Sequence, residues 1–386
     1  MTHRFTEQEL GLLLGRPLRA CLTAEDRAAC RGRRVLITGA GGSIGSALSR
    51  ELAACRPSRV ALVDNSEYQL FQIEREIRRL SPGVSPGVHL ADVSVAAQMR
   101  RVMASETPDV VYHAAACKHV TMAERAIVFA ARVNVLGTDI VASAAAETGA
   151  RFILISSDKA AGPRSVMGAT KRLAELVTLA RATETFRPCV IRFGNVLGSS
   201  GSVLEIMRAA IRAGQPVPIT DLEATRYLMT PGEAVALVLL AERRATEAGV
   251  FWLDMGDPVR LGDLVDRVIA LERTAGYVDA GIEIVGLRPG EKAHEQLLDP
   301  HLTLEPTSDP RIWRAQSEAI ALPVIEGALR RLQDAAERAD DALALHVLSD
   351  IVPGYRPSAH ARAAADSHVV SAHRSRSLRR RDGKAA

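Results

Sequence analysis

The residues that could do acid–base chemistry lie side by side in the middle of the chain. Ser157, Asp158 and Lys159 directly follow the apolar run from Phe152 to Ile155, which is typical of a buried strand. A carboxyl group can donate a proton, and an amine can accept one, when the surroundings favour their uncharged forms. Asp158 and Lys159 are therefore candidates for a general acid and a general base.

A methionine and a lysine follow at a spacing that also bears on this chemistry. Met167 and Lys171 are four positions apart, which puts both side chains on one face of a helix. The pair resembles the Tyr-x-x-x-Lys pattern of short-chain dehydrogenases, in which lysine lowers the pKa of the tyrosine so that its oxygen can accept a proton. Met167 has no ionisable group. Either the chain is inactive, or Asp158 and Lys159 make the proton transfers instead.

A glycine-rich loop predicts a dinucleotide-binding site. Gly39, Gly42 and Gly45 lie between an apolar run at 34–38 and a segment with helical spacing, and Ser43 and Ile44 belong to the same loop. Glycines permit a tight turn, and the following helix N-terminus offers free N–H groups to a pyrophosphate. The strand before the loop and the helix after it give these glycines the required context.

Residues after the next strands are expected to contact the rest of the cofactor. Asp64 ends the second strand, where it can accept hydrogen bonds from the adenosine ribose. Asp64 favours NAD, because a carboxylate repels the 2′-phosphate of NADP. NADP is kept as the alternative cofactor. Asp92 and Val93 are expected to contact the adenine, although Asp92 could instead be a helix N-cap. Ala114 and Ala115 are expected to run along the cofactor.

The order of apolar runs predicts the fold. Strands are expected at 34–38, 59–63, 88–90, 110–113, 152–156 and 188–193, with helical patterns between them. This alternation indicates α/β architecture with a doubly wound parallel (Rossmann) sheet and a smaller mixed α/β substrate lobe. We expect a helical lead-in at 1–32, the NAD(P)-binding domain at 33–200, a segment at 201–320 that is mainly the UDP-sugar substrate lobe, C-terminal helices at 321–356 and a disordered basic tail at 357–386.

Composition excludes several classes of protein. Apolar residues make up 47% and charged residues 24% of the chain, as in ordinary globular proteins. We expect no integral membrane segment, because no apolar run approaches about 18 residues, and no secretory signal; the expected location is the cytoplasm. The five scattered cysteines predict reduced thiols and no metal site.

Charge is concentrated at the C-terminal end. Residues 374–384 carry six basic residues against one acidic residue, a net +5, which leaves the rest of the chain at −1 of the total +4. Such a segment is typical of a solvated tail. It could contact acidic lipid or nucleic acid, but we expect no nucleic-acid partner.

Several ordered blocks resemble the UDP-N-acetylglucosamine 4,6-dehydratases, a group of extended short-chain dehydrogenases. The resemblance covers about 12–355. The blocks are T-G-A-G-G-S-I-G (38–45), H-A-A-A-C-K-H-V (113–120), S-S-D-K-A (156–160), V-M-G-A-T-K-R (166–172), R-F-G-N-V-L-G-S-S-G-S (192–202), T-R-Y-L-M-T (225–230), D-M-G-D-P-V (254–259) and G-L-R-P-G-E-K (286–292). One branch of the family has methionine where Met167 lies. The chain is similar to the soluble core of the family's longer, membrane-anchored members. Ser157 departs from the more usual threonine, and 161–164 also differs.

The resemblance implies a reaction and roles for the candidate residues. Hydride leaves C4 of the sugar for a tightly bound, recycled NAD, water is eliminated across C5–C6, and hydride returns to C6. Asp158 would be the acid at the C6 oxygen and Lys159 the base at C5, so Asp158 must be protonated and Lys159 neutral when needed. Burial favours both uncharged forms, while attraction within the ion pair opposes them. Ser157 would hydrogen-bond the 4-hydroxyl and Lys171 the nicotinamide ribose. The group that deprotonates the 4-hydroxyl stays open, with Asp158 as a candidate.

The resemblance also implies a UDP-sugar site. Its candidate residues are an amide for the diphosphate, two arginines for phosphate oxygens and a carboxylate for the uridine ribose: Asn195, Arg226, Arg288 and Glu291. Lys118 and His119 could reach substrate or cofactor after the fourth strand, although a histidine there could equally be structural. Homo-oligomers are usual for this fold, and we expect one here.

Two alternatives from different classes are kept open. A UDP-sugar 4-epimerase or reductase would not need Asp158 and Lys159, and the mass of its product would distinguish it. A catalytically silent NAD-binding scaffold would be consistent with Met167 but leaves Asp158, Lys159 and Lys171 unexplained. The configuration at C5 and the exact sugar are not determined by the sequence.

Overall fold

Short runs of β-branched and apolar residues form the strands of the protein. The computed structural model describes residues 5–19, 22–278, 281–296, 298, 302–315 and 320–366. The strands are β1 (Arg34–Thr38), β2 (Arg59–Asp64), β3 (Gly87–Leu90), β4 (Val110–His113), β5 (Arg151–Ile155), β6 (Cys189–Arg192), β7 (Asn195–Val196), β8 (Val217–Ile219), β9 (Thr225–Arg226), β10 (Leu228–Met229), β11 (Gly249–Leu253), β12 (Val259–Arg260), β13 (Ile282–Ile284), β14 (Leu304–Pro306) and β15 (Ile312–Ala315).

Nine of the described strands form one sheet, in the order β14-β15-β11-β6-β5-β4-β1-β2-β3. From β3 to β11 every neighbouring pair is parallel, and β15 and β14 complete the other edge in antiparallel orientation. The chain reverses its direction of travel across the sheet between β1 and β4. Ligands of such sheets bind outside the carboxyl ends of the strands at this point. The predicted doubly wound parallel sheet is confirmed.

Helices connect the strands and cover both faces of the sheet. They are α1 (Glu7–Leu14), α2 (Ala24–Ala29), α3 (Ser43–Ala54), α4 (Glu67–Leu80), α5 (Ala96–Glu106), α6 (Val120–Ala123), α7 (Ile127–Ala131), α8 (Gly137–Glu147), α9 (Val166–Ala180), α10 (Val203–Arg212), α11 (Pro231–Arg244), α12 (Leu261–Thr274), α13 (Leu322–Arg338) and α14 (Asp341–Ile351). A π-helical turn, Arg132–Leu136, joins α7 to α8, and a 3₁₀ turn, Asp158–Ala160, follows β5.

The helical segment Ile127–Glu147 is long and apolar enough to cross a membrane, and within the described ranges it is the single segment of this kind. In the folded protein, 67% of the apolar 18-residue stretch of this segment is buried. A helix in the core of a folded domain has the same length and composition.

The N-terminal lead-in packs on the substrate lobe. Leu13 and Leu14 of α1 are buried in a cluster with residues of α10, α12 and β8. Arg16, just after α1, donates a hydrogen bond of 2.7 Å to Glu233 at the start of α11. The lead-in is therefore part of that core.

The C-terminal helices α13 and α14 pack against α7 and α9. Residues 359–366 are also helical, with Ala361 and Ala365 buried in the same cluster. Just before them, Ser358 donates a hydrogen bond to Glu124, which accepts another from the backbone N–H of Val166 in the first turn of α9. The predicted disordered tail is thus ordered over its first ten residues, and 367–386 lie outside the described part of the chain.

Candidate active site

The loop after β1 has the geometry of a phosphate cradle. Gly39 has a φ of +63°, in the left-handed region that favours glycine. A Cβ built on Gly45 would lie 1.9 Å from the carbonyl oxygen of Gly39, so only glycine lets the first turn of α3 lie this close to the loop. Gly42 is the N-cap of α3 without a side-chain cap. The free N–H groups and the close-packed backbone fit the pyrophosphate of a dinucleotide.

Two predicted cofactor residues are fixed by local hydrogen bonds. Asp64 accepts one bond from the backbone N–H of Gly41 and one from that of Ser66, each 2.9 Å long, so its carboxylate is held beside the glycine loop at the end of β2. Asp92 accepts bonds from the N–H and hydroxyl of Ser94, at 2.8 and 2.7 Å. It thereby stabilises the turn ahead of α5, whose N-cap is a different residue, Val95.

Asp158 lies beneath the cavity, buried at the start of the 3₁₀ turn. Its backbone N–H bonds to the carbonyl of Phe193 over 3.0 Å, which attaches the turn to the end of β6. Its Oδ1 accepts a 2.9 Å bond from the Ser157 hydroxyl and a 3.0 Å bond from Lys159 Nζ. Its Oδ2 is buried and makes no hydrogen bond to any described residue. The carboxyl group is therefore connected to its surroundings mainly through these two neighbours.

Lys159 is held as an ammonium ion by three acceptors. Its Nζ lies 3.0 Å from Asp158 Oδ1, 2.9 Å from Asn195 Oδ1 and 3.2 Å from Glu295 Oε1. Burial lowers the pKa of Lys159, but the charges of Asp158 and Glu295 outweigh it, so the net pKa is raised. The sequence alone does not decide between these two opposing effects. The attraction within the ion pairs is the larger effect.

Helix α9 brings Met167 and Lys171 against the same turn. A Cβ built on Gly168 would lie 2.4 Å from the carbonyl oxygen of Lys159, so the close approach of α9 to the turn requires glycine. Lys171 Nζ donates a 2.6 Å bond to the carbonyl of Ile155 at the end of β5. Burial lowers the pKa of Lys171 to about 8, although the charge of Glu175 opposes the shift.

A cavity of about 660 Å³ lies over these groups, at the carboxyl ends of the central strands. It brings together most of the predicted site residues: Gly42, Ser43, Ile44, Gly45 and Ala114 from the cofactor set, Ser157, Lys159, Met167 and Lys171 from the catalytic set, and Lys118, His119, Asn195, Arg226, Arg288 and Glu291 from the substrate set. The predicted residues outside its lining are Gly39, Asp64, Asp92, Val93, Ala115 and Asp158. Asp158 reaches the cavity through Ser157 and Lys159.

The predicted substrate residues differ in how free their side chains are. The Asn195 amide oxygen is already bonded to Lys159. The buried guanidinium of Arg226 donates to the carbonyls of Thr225 and Ala293, at 2.8 and 2.9 Å. Glu291 accepts a 3.1 Å hydrogen bond from the backbone N–H of Arg288, which stabilises the local turn that contains both residues. The Arg288 side chain is exposed at the rim of the cavity.

Lys118 and His119 also line the cavity. Burial lowers the pKa of both side chains, and the charge of Lys118 adds to the effect on His119. His119 is therefore a neutral ring, which can accept or donate a hydrogen bond but does not supply a charge.

Two lining residues, Lys292 and Glu295, were missed by the sequence reasoning. Lys292 Nζ donates a 2.8 Å bond to the carbonyl of Ala161 and lies 3.9 Å from Glu295 Oε2. Lys292 ends the G-L-R-P-G-E-K block and Glu295 follows it, and the polar run E-K-A-H-E was the available signal. Nothing in that run indicated that it folds back onto Lys159.

Comparison with known proteins assigns most of the chain to one family. The family described as polysaccharide biosynthesis protein matches residues 35–317. The chain is 42% identical over 293 residues to the probable polysaccharide biosynthesis protein EpsC of Bacillus subtilis, a match that covers 74% of this chain and 48% of that protein. It thus spans about half the length of this relative.

Two further relatives are matched over most of their length. The chain is 30% identical over 283 residues to a UDP-N-acetylglucosamine 4,6-dehydratase (inverting) of Campylobacter jejuni, with 71% of this chain and 80% of that protein covered. It is 33% identical over 283 residues to a UDP-glucose 4-epimerase of Rickettsia akari, with coverages of 69% and 77%. The crystal structure of Pen from Bacillus thuringiensis superposes with a TM-score of 0.66 at 28% identity, covering 79% of this chain and 98% of that one.

Proposed function

The chain belongs to the polysaccharide biosynthesis protein family, and on this basis we propose that it is a nucleotide-sugar 4,6-dehydratase. Its substrate would be UDP-N-acetylglucosamine and its product a UDP-4-keto-6-deoxy-HexNAc for surface polysaccharide or glycan synthesis. The observation that carries the proposal is the hydrogen-bonded row of Ser157, Asp158 and Lys159 next to Met167. This row offers an acid and a base where the tyrosine of related enzymes is replaced.

The cofactor would be NAD, with NADP as the alternative. When bound, NAD would supply a hydride acceptor for C4 of the sugar and a hydride donor for C6. The glycine loop would hold its pyrophosphate, Asp64 the adenosine ribose and Lys171 the nicotinamide ribose. Asp64 favours NAD because its carboxylate would repel a 2′-phosphate.

The first proton would leave the 4-hydroxyl as C4 is oxidised. Ser157 lines the cavity and donates its own hydrogen bond to Asp158 Oδ1 over 2.9 Å. The serine oxygen can therefore accept the substrate proton while the serine proton passes to Asp158. Asp158 then holds the proton that the departing 6-hydroxyl needs in order to leave as water, and Ser157 is again the connection. The acid of the elimination step is thus generated by the oxidation step.

The second proton would leave C5, which the new 4-ketone acidifies. Lys159 Nζ is the base in this assignment, because it lines the cavity next to Ser157. The same amine, once protonated, can return a proton to C5 when C6 is reduced.

Product analysis tests the proposed function directly. Purified protein supplied with UDP-N-acetylglucosamine and NAD should form a product that is lighter by one water, and in deuterated solvent the product should carry deuterium at C5. A product of unchanged mass would show an epimerase, which the Rickettsia relative makes the second candidate. No turnover would favour the silent scaffold.

Asp158→Asn tests the acid assignment. The amide keeps the shape of the side chain but cannot hold the proton, so we expect the dehydration rate to fall by about 10²- to 10⁴-fold. Ser157→Thr is the matched control, since it keeps the hydroxyl that links Asp158 to the cavity and should retain most of the activity. Near-normal dehydration by Asp158→Asn would contradict the assignment.

A further inference from the structure

Lys159 must lose a proton before it can act as the base of the proposed dehydratase, and the structure holds it as an ammonium ion. Three oxygen atoms surround its Nζ within 3.2 Å, from Asp158, Asn195 and Glu295. The proton has to move to one of these groups or to solvent.

Two of the three acceptors are unsuited to the task. The amide oxygen of Asn195 is not basic enough to hold a proton. Asp158 receives the proton of the 4-hydroxyl in the proposed reaction, so it is occupied when Lys159 must act. Glu295 is the remaining acceptor.

Glu295 has the geometry of a proton acceptor. It is 8% exposed and lines the cavity, with Oε1 3.2 Å from Lys159 Nζ. Its Oε2 is buried and makes no hydrogen bond to the described residues, and Lys292 Nζ lies 3.9 Å from it. The 3.2 Å between Lys159 Nζ and Glu295 Oε1 is within hydrogen-bond reach, so a proton can pass directly between the two groups. The bridge between Thr225 and His294 fixes this segment against the substrate lobe.

We propose that Glu295 is a positioning residue that takes one proton from Lys159 at each turnover, stores it while the amine works at C5, and then returns it. This inference rests on the proposed function. It assigns a role to a glutamate that lies beyond the last sequence block of the family resemblance, which ends at Lys292.

The proton movements balance over the cycle. The 4-hydroxyl proton reaches Asp158 through Ser157, and the Lys159 ammonium gives a proton to Glu295. The free amine takes the C5 proton, and the proton on Asp158 leaves with the 6-hydroxyl as water. Lys159 then returns a proton to C5 as C6 is reduced, and Glu295 returns the stored proton to Lys159. No external acid, base or oxidant is required beyond the recycled cofactor.

Local charges make the transfer depend on the oxidation step. The charged groups that act on Lys159 are Asp158, Glu295 and Arg226, with Lys292 next to Glu295. While both carboxylates are ionised, they hold the ammonium. Protonation of Asp158 removes one of the two anions, so Lys159 gives up its proton more readily. Burial also lowers the pKa of Lys292, which lies 3.9 Å from Glu295 Oε2.

Glu295→Gln tests the proposal, because it keeps the size and one acceptor oxygen but cannot store a proton. In the unsubstituted protein the transfer is internal, so dehydration should not vary with pH around neutrality. In the variant the proton must leave for solvent. At neutral pH, we expect the rates of dehydration and of C5 deuterium exchange in the variant to be about 10²- to 10⁴-fold lower than in the unsubstituted protein. As the pH is raised, both rates in the variant should increase about tenfold for each pH unit. Glu295→Asp keeps a titratable carboxylate and should restore a flat profile.

A second measurement does not depend on turnover. The Lys159 amine can be titrated by ¹⁵N NMR of the cofactor-free protein, with Lys159→Met identifying its signal. Its pKa should be lower in Glu295→Gln than in the unsubstituted protein, because one of the two anions is gone. Glu272→Gln is the matched control. Glu272 is a buried glutamate that is paired with Arg208 and Arg212 away from the cavity, so the dehydration kinetics of this variant should be the same as those of the unsubstituted protein.

The outcomes separate this inference from the proposed function. If the unsubstituted protein does not dehydrate UDP-N-acetylglucosamine, the proposed function fails before any variant is compared. If it does, a normal rate and a flat pH profile for Glu295→Gln overturn the role of Glu295 alone. If Glu295→Gln does not fold, Glu295→Asp decides: a flat profile supports proton storage, and a tenfold-per-unit slope overturns it.

Discussion

At the scale of single residues, our proposal assigns the proton transfers of a missing phenol to neighbours in the chain. Met167 occupies the cavity wall but cannot exchange a proton. Ser157, Asp158 and Lys159 form one hydrogen-bonded row. Their adjacency was visible in the sequence. The contact of Lys159 with a second carboxylate, that of Glu295, was not visible in the sequence. Glu295 lies 136 positions further along the chain, and folding brings it to Lys159.

Lys171 should give the reaction a pH limit. Burial lowers its pKa to about 8, so the positive charge that we assign to the nicotinamide ribose is present below this pH and is lost as the pH rises through it. The value of kcat/KM, which reports the free enzyme, should therefore decline above about pH 8. Lys171→Met should be slower and lack this decline. A flat profile up to the range of an ordinary lysine would contradict the assignment.

At the scale of elements, the sequence identified six of the fifteen described strands and several of the helices that position the site. Apolar runs predicted the first six strands within one or two residues, because strands buried on both faces need continuous apolar sequence. The short strands around the substrate cavity were harder to predict. β7, β9, β10 and β12 have two residues each, too few for a pattern with a period of two.

Gly168 controls how closely α9 approaches the 3₁₀ turn Asp158–Ala160. In Gly168→Ala the new Cβ would lie 2.4 Å from the Lys159 carbonyl, so α9 must shift, although alanine is ordinarily the better helix former. We expect a loss of about 1–3 kcal/mol in the free energy of unfolding and a fall of about 10²-fold in activity, measured by denaturant unfolding and dehydration rate.

Gly327→Ala in α13 is the control for this substitution. A Cβ added at Gly327 would meet nothing within 4 Å, so the change should stabilise the protein by about 0.5–1 kcal/mol and leave activity unchanged. Equal effects of the two substitutions would show that the contact with the turn is unimportant.

At the scale of the whole molecule, the sheet crosses the predicted domain limits. The sequence placed the substrate lobe at 201–320, yet β11, β14 and β15 from this range complete the main sheet. Local patterns cannot show which distant strands will pair, since pairing depends on the topology of the complete chain. The cytoplasmic location and the homo-oligomer stay predictions.

The lead-in helix α1 should contribute to global stability. Leu13 is fully buried between α1 and the substrate lobe, while Leu12 beside it is 59% exposed. Leu13→Ala should reduce the free energy of unfolding by about 2–5 kcal/mol, whereas Leu12→Ala should change it by less than about 0.5 kcal/mol. Denaturant unfolding of both variants measures the difference, and equal effects would contradict the packing.

The pairing of β6 with β11 has a consequence for dissecting the protein. A fragment that stops after β6 would present an unpaired, apolar strand edge to other chains, and such edges promote aggregation. Expression trials that aim to isolate the half of the chain from β1 to β6 should therefore retain residues through β15, or replace the missing neighbours of β6. The groups of the candidate site and the strands β11, β14 and β15, which complete the sheet beside β6, have to be produced as one polypeptide.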